Sequence, residues 1–118
     1  MTRPAEDKLA DCQRRYRELG ARIADIGYIR AGSVVLAANR CGKRSCHCHD
    51  DPPQLHGPYW QYTAKIDGKT VTRRLTEQQA RQYQEWISND RALRELIAQM
   101  RQVAAEATTL ITQGASAA

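Results

Sequence analysis

The sequence has no phenylalanine, and aromatic residues of all kinds make up only 6% of its 118 residues. Large aromatic side chains dominate the burial of apolar surface in small domains, so we predict a thin core that needs a staple such as a metal ion or an oligomer contact. No stretch approaches the roughly 20 consecutive apolar residues of a membrane span, and no N-terminal run suits a signal peptide. We therefore expect a cytoplasmic protein.

Arrangements that carry common catalytic chemistry are also missing. We find no acid/base pair, no glycine-rich phosphate loop and no nucleophile with a base partner. The sequence therefore predicts a binding protein and not an enzyme. Its length suits a single domain over residues 1–118.

The basic charge is concentrated in the middle of the chain. The formal net charge is +5, and residues 26–76 account for all of it, because the segments on either side carry +1 and −1. A local basic excess favours polyanionic partners, nucleic acid first. The alternative is that these basic residues form an ordinary solvated surface and bind no polyanion.

Two segments have helical periodicity. The first spans residues 6–26 and repeats apolar residues at intervals of three and four, as a coiled-coil seam does. Its seam residues are Leu9, Cys12, Tyr16, Leu19, Ile23 and Ile26. The second spans residues 77–112, with Thr76 and Gln79 predicted to form a capping box. Ser88-Asn89-Asp90 interrupts its apolar stripe and suggests a kink or break, and residues 114–118 are predicted to be disordered.

Between the helices we predict three strands. Residues 33–38 are apolar and β-branched, and residues 59–66 and 70–75 flank Asp67-Gly68, a strong hairpin signal. The fold class is therefore α+β: a small zinc-stapled three-stranded antiparallel sheet within residues 33–75, and a long C-terminal helix that pairs with the N-terminal helix. Because that helix is longer than its partner, an uncovered apolar overhang would favour a homodimer or a target helix.

A cluster of metal-ligating residue types lies between the first two strands. Cys41, Cys46 and Cys48 are followed by His56 with the spacing C-x4-C-x-C-x7-H. Three thiolates and one imidazole complete a tetrahedral Zn2+ site of the structural kind. We favour His56 over His49 as the fourth ligand, and we expect the side chain of His47 to point away.

Two other interpretations of the cysteines remain open. Cys46 and Cys48 could form a redox pair, or the cluster could hold iron and sulfide, although iron–sulfur sites usually require four thiolates. Cys12 lies on the helical seam and is predicted to be a buried apolar side chain and not a ligand.

The chain resembles a family of small bacterial proteins of unknown function. The pattern covers nearly the whole chain from residue 9: a Gly-Ser strand, Cys-Gly-Lys, Cys-x-Cys, His-Gly-Pro-Tyr, a Gly-Lys hairpin and a terminal helix. It maps onto Gly32-Ser33, Cys41-Gly42-Lys43, Cys46, Cys48, His56-Gly57-Pro58-Tyr59 and Gly68-Lys69. The resemblance implies that His56 is the ligand histidine and suggests an origin in mobile elements, but it implies no activity.

The segment from Tyr59 to Ile87 is also similar, more weakly, to the arm-type DNA-binding domain of phage integrases. That similarity implies that a face of the sheet contacts DNA, with Arg and Lys on phosphates or guanine edges and Thr and Gln on base edges. The predicted nucleic-acid-binding residues are Lys43, Arg44, Gln61, Thr63, Lys65, Lys69, Thr72, Arg73 and Arg74.

Two functions therefore compete. The first is a zinc-stabilised DNA-binding or accessory factor. The second is a protein–protein adaptor or inhibitor that engages a partner through its long helices, with zinc only as scaffolding. The third possibility, an enzyme, has no catalytic arrangement to support it. The rings of Tyr59, Trp60 and Tyr62 could stack bases, but we expect them to form the core of the hairpin.

Overall fold

The computed structural model describes residues 2–116 and has the predicted α+β architecture. Its elements are α1 (Arg3–Ala24), β1 (Ser33–Asn39), a short 3-10 turn (His47–His49), β2 (His56–Ile66), β3 (Lys69–Leu75) and α2 (Glu77–Ser116). The three strands form one antiparallel sheet in the order β1-β2-β3. In the described part of the chain, the helices are too polar or too short in their apolar stretches to cross a membrane.

Helix α1 begins three residues earlier than the sequence pattern predicts. The side chain of Thr2 accepts a hydrogen bond of 3.3 Å from the backbone N–H of Ala5, and Pro4 lies in the first turn, where its missing N–H costs nothing. Apolar periodicity could not reveal this start, because the first turn is set by capping and not by burial.

Contacts divide the chain into two compact units. One contains residues 29–88, and the other contains residues 2–28 together with residues 89–116. Helix α2 contributes its beginning to the first unit and its remainder to the second. The single domain predicted over residues 1–118 stays a prediction.

In the sheet unit, one face of the sheet packs against the beginning of α2. The buried side chains are Tyr62, Ala64, Leu75, Ala80 and Ile87, with Val34, Trp60 and Tyr83 packed around them. The rings of Tyr62 and Tyr83 meet edge to face with their centroids 4.9 Å apart, a favoured aromatic geometry. The predicted overhang of α2 is therefore covered by the sheet, which removes that argument for a homodimer.

Turns and caps fix the ends of these elements as predicted. Asp67 and Gly68 both have positive φ, 52° and 78°, as the tight hairpin between β2 and β3 requires. Thr76 and Gln79 form the capping box: the Thr76 N–H donates to Gln79 at 2.9 Å, and the Gln79 N–H donates to the Thr76 hydroxyl at 3.1 Å.

In the helical unit, α1 pairs with the later part of α2 in antiparallel fashion. Cys12 and Leu19 are buried against Leu96 and Val103, as the apolar seam predicts. Arg15 forms an ion pair of 3.0 Å with Glu106 across the two helices. Cys12 is fully buried, which confirms its predicted apolar role.

Helix α2 is continuous through residues 88–90, where the sequence left a kink or break open. The side-chain amide of Asn89 donates to the carbonyl of Tyr28 at 2.8 Å and so serves packing without leaving the helix. Residues 114–116, predicted to be disordered, are helical, since one glycine costs only about 1 kcal/mol in a helix already formed. The last two residues of that predicted tail lie outside the described residues.

The packing predicts a sharp contrast between two leucines of the sheet. Leu75 in β3 is 6% exposed, whereas Leu36 in β1 is 55% exposed. Leu75→Ala should lower the free energy of unfolding by about 2–5 kcal/mol because it leaves a cavity, and the matched Leu36→Ala should change it by less than about 1 kcal/mol. Urea unfolding of both variants measures this difference, and equal losses would contradict the assigned core.

Candidate metal centre

The structure brings the four predicted ligand residues to one point. The sulfurs of Cys41, Cys46 and Cys48 and a ring nitrogen of His56 all lie within 4.8 Å of one another. The sulfurs of Cys41 and Cys48 are 3.6 Å apart, and the sulfur of Cys46 is 3.1 Å from Nε2 of His56. Zinc–ligand bonds of about 2.0–2.3 Å in a tetrahedron place ligand atoms about 3.3–3.8 Å apart, so the cluster has nearly the right size.

Short turns in the loop make this convergence possible. The N–H of Cys46 donates to the carbonyl of Lys43 at 3.1 Å, and the N–H of His49 donates to the carbonyl of Cys46 at 3.0 Å. The 3-10 turn at His47–His49 follows directly. These turns reverse the backbone around Cys46 and Cys48, so that two thiols separated by one residue point to the same place.

Strand pairing supplies the fourth ligand. His56 begins β2 and pairs with Asn39 at the end of β1, beyond an irregularity in register after Ala37. Gly57 follows with φ of 110°, and a Cβ at this position would lie only 2.7 Å from the carbonyl oxygen of Ala37. Only glycine allows β2 to approach β1 so closely here, which fixes His56 beside the cysteines.

The other two histidines of the loop lie outside the cluster. His47 is directed at Asp50, 3.5 Å away, and its side chain is 82% exposed, consistent with the predicted orientation away from the cysteines. Nε2 of His49 lies 2.6 Å from the carbonyl oxygen of Cys41. His49, the alternative fourth ligand, is therefore engaged with the backbone of the loop.

Local hydrogen bonds favour a thiolate at Cys46. A bond from the backbone N–H of Cys48 is the main reason that the pKa of Cys46 is lowered to about 6, and contacts with the two other thiols and His56 act in the same direction. Burial raises the pKa of the Cys48 thiol. A bound cation would instead lower the pKa of Cys48, because coordination deprotonates a thiol outright.

The donor set fits a structural zinc ion. Three sulfurs and one imidazole nitrogen complete a tetrahedron and leave no position for a substrate. Cys48 is fully buried, Cys41 and Cys46 are half-buried and His56 is the exposed member. The centre therefore has a shielded inner side and one ligand at the surface.

The predicted nucleic-acid-binding residues fall into three groups. Alternation along the strands places one set on the side of the sheet that faces away from α2, a surface termed here the polar face. The polar face consists of Gln61, Thr63, Lys65, Thr70, Thr72 and Arg74. Lys43 and Arg44 are exposed in the cysteine loop.

Lys69 and Arg73 do not share this face. They pair with Ile66 and Tyr62, which places them on the side of the sheet that α2 covers. The guanidinium of Arg73 donates to the hydroxyl of Tyr83 in α2 at 3.2 Å. Strand alternation therefore separates Lys69 and Arg73 from the other predicted residues of the strands.

Tyr59 does not belong to the core of the hairpin. Tyr62 and Trp60 belong to the core, but Tyr59 lies on the opposite side, with its ring 4.3 Å from the guanidinium carbon of Arg74. The side-chain amide of Asn39 donates to its hydroxyl. The alternation of residues 59–66 along the strand separates Tyr59 from the other two rings.

These features define a small α+β protein with a Cys3His cluster between two strands of its sheet. A family model described as a domain of unknown function (DUF6788) matches residues 9–85, so the chain belongs to that family. The expectation of an uncharacterised family is confirmed, while the similarity to integrase arm domains stays a resemblance. No curated protein matches the chain, and no solved structure matches it.

The geometry predicts which histidine matters for metal affinity. His56→Ala should weaken Zn2+ binding at least about 100-fold, since even partners that only support a ligand are worth 10–100-fold. The matched His47→Ala should leave the affinity unchanged, because that side chain is exposed and directed at Asp50. Competition with a chromophoric chelator measures both. Tight binding that depended on His49 and not on His56 would show that the assigned ligand is wrong.

Metal removal should destabilise the fold. At a free zinc concentration about 1,000 times the dissociation constant, binding to the native state alone adds about 4 kcal/mol of stability. Chelation should therefore lower the melting temperature followed by circular dichroism, and added Zn2+ should restore it. An unchanged melting temperature after complete zinc removal would exclude a structural role.

Proposed function

We propose that this protein is a zinc-stabilised DNA-binding factor of the cytoplasm and not an enzyme. One Zn2+ ion holds the loop between β1 and β2, and the polar face of the sheet contacts DNA. The observation that carries this proposal is the polar face itself, which turns hydrogen-bonding and cationic side chains outward while the opposite side of the sheet is buried against α2.

Zinc is the favoured ion because of the donor set. Iron–sulfur clusters usually take four thiolates, whereas the fourth ligand here is an imidazole. A redox pair of Cys46 and Cys48 would leave the position of His56 unexplained, since the ring nitrogen lies 3.1 Å from the sulfur of Cys46. The ion with three thiolates carries a net charge of −1, which the neighbouring Lys43 and Arg44 offset.

The composition of the polar face suits nucleic acid. Lys65 and Arg74 supply positive charge for phosphates, and Gln61 and the threonines supply donors and acceptors for base edges or sugars. Among the residues that the three strands place on this face, none is acidic. An acidic protein surface would also pair with the two cations. The amide and hydroxyl groups on the same face, however, suit the recognition of base edges.

Salt dependence tests the proposal. Five cations of the loop and sheet are available to phosphates: Arg40, Lys43, Arg44, Lys65 and Arg74. If all five contact DNA, the affinity for a duplex should fall by roughly several hundredfold between 50 and 200 mM salt. Fluorescence anisotropy with a labelled duplex measures this, and affinity that is absent or independent of salt would overturn the proposal.

A matched pair of substitutions localises the interface. Arg74→Gln should weaken binding about tenfold and reduce the salt slope by about one, because one phosphate contact is lost. Arg81→Gln removes the same charge from the surface of α2, where Arg81 pairs with Glu77 at 3.0 Å, and should have little effect. Equal losses in the two variants would indicate a general charge effect and not binding by the polar face.

A second candidate function is an adaptor that engages a protein through its helices. It is supported by a cavity of about 280 Å³ between α1 and α2, lined by Cys12, Val103 and Ala107 among others, and by Tyr16 at its edge, 43% exposed. A stable complex that survives Lys65→Glu and Arg74→Glu would favour this function over DNA binding.

A further inference from the structure

A groove of about 590 Å³ lies directly beside the candidate metal centre. Its walls come from the end of β1, the cysteine loop, the start of β2 and the end of β3. The side chains that line it include Asn39, Arg40, Tyr59, Gln61, Thr72 and Arg74. Two of the proposed metal ligands, Cys41 and His56, also line it, so the centre and the groove share a wall.

Positive charge dominates this groove. Arg40 and Arg74 both line it, whereas no carboxylate is among the described residues that do so. Neither arginine forms an ion pair with a carboxylate within residues 2–116. Two guanidinium groups outweigh the single negative charge of a zinc centre with three thiolates. An anionic ligand is therefore favoured.

Arg74 is held in place for such a ligand. Its guanidinium carbon lies 4.3 Å from the ring centroid of Tyr59, and the hydroxyl of Tyr59 accepts a hydrogen bond from Asn39. Stacking on a ring fixes the plane of a guanidinium and leaves its N–H edge available. A planar fork of this kind matches the oxygens of a phosphate, which it binds with two parallel hydrogen bonds.

The groove is large enough for a ligand bigger than a phosphate ion. Sites for small ligands measure about 300–1,000 Å³, and this groove falls within that range. Gln61, the cross-strand partner of Arg74, and Thr72, two residues before it in β3, add amide and hydroxyl groups beside Arg74, as the polar edges of a base and sugar require. The outer side of the stacked guanidinium offers a flat cationic surface of the kind on which bases stack.

We infer that this groove binds one unpaired nucleotide, with its phosphate on Arg40 and Arg74 and its base against the Tyr59–Arg74 stack. The ligand is either a free nucleoside monophosphate or a single unpaired nucleotide of a DNA strand. A base inside a duplex cannot enter, because it is stacked and paired. The inference rests on the proposed function only if the ligand is the unpaired nucleotide of a DNA strand.

Binding to the zinc-loaded full chain tests the inference. The probes are AMP, adenosine, inorganic phosphate, a single-stranded oligo-dT and a blunt duplex of equal length. Heteronuclear NMR should show AMP or oligo-dT shifting the signals of Tyr59, Gln61 and Thr72. The phosphate and the adenosine should each bind at least tenfold more weakly than AMP.

Substitutions at the arginines localise the ligand. Arg40→Gln and Arg74→Gln should each weaken AMP or oligo-dT at least tenfold, and Tyr59→Leu should weaken them while Tyr59→Phe retains binding. Arg81→Gln is the control. Unchanged zinc content and amide spectra in each variant show that a loss reflects the groove and not misfolding.

The outcomes separate the inference from the proposed function. If AMP binds in the groove but no DNA binds, the inference stands and DNA binding fails. If duplex DNA binds while neither AMP nor oligo-dT shifts the groove signals, the inference is overturned and DNA binding stands. Inorganic phosphate binding as tightly as AMP would also overturn it, since the site would then recognise an anion alone.

Discussion

The convergence of Cys41, Cys46, Cys48 and His56 is the constraint on which the sheet depends. The loop over residues 40–55 joins β1 to β2 with only short-range backbone hydrogen bonds, and it adds almost nothing to the apolar core. Four ligand atoms within 4.8 Å of one another give this loop a fixed centre. A metal ion there would close the loop between two strands as a core of large aromatic side chains does in other small proteins.

Helix α2 distributes the remaining packing. Its beginning covers one face of the sheet, and its later part pairs with α1 through small and aliphatic side chains. The same helix therefore contributes to two cores, which explains how a chain without phenylalanine buries enough apolar surface. Because α2 covers one side of the sheet, the other side remains available, and the proposed functions of the sheet depend on this asymmetry.

Much of the fold could be predicted from local patterns. The seam around Cys12 and Leu19, the turn at Asp67-Gly68 and the capping box at Thr76 depend on residues close together in sequence. The features that local patterns left open depend on distant partners. Continuity of the helix at Asn89 could not be predicted, because its bond to Tyr28 joins residues 61 apart in sequence. The bond between Arg73 and Tyr83 likewise joins two separate elements, β3 and α2.

The candidate site also has features that the sequence predicts and features that only the tertiary structure sets. The sequence by itself determined the ligand types and their spacing and favoured His56 over His49, since a thiolate and an imidazole have recognisable chemistry wherever they lie. Only the tertiary structure decided that Arg40, Tyr59 and Arg74 share a groove with Cys41 and His56. These residues come from separate strands and a loop, and strand pairing brings them together through backbone hydrogen bonds that every residue type can make. The residue pattern along the chain therefore does not show directly that these side chains are neighbours.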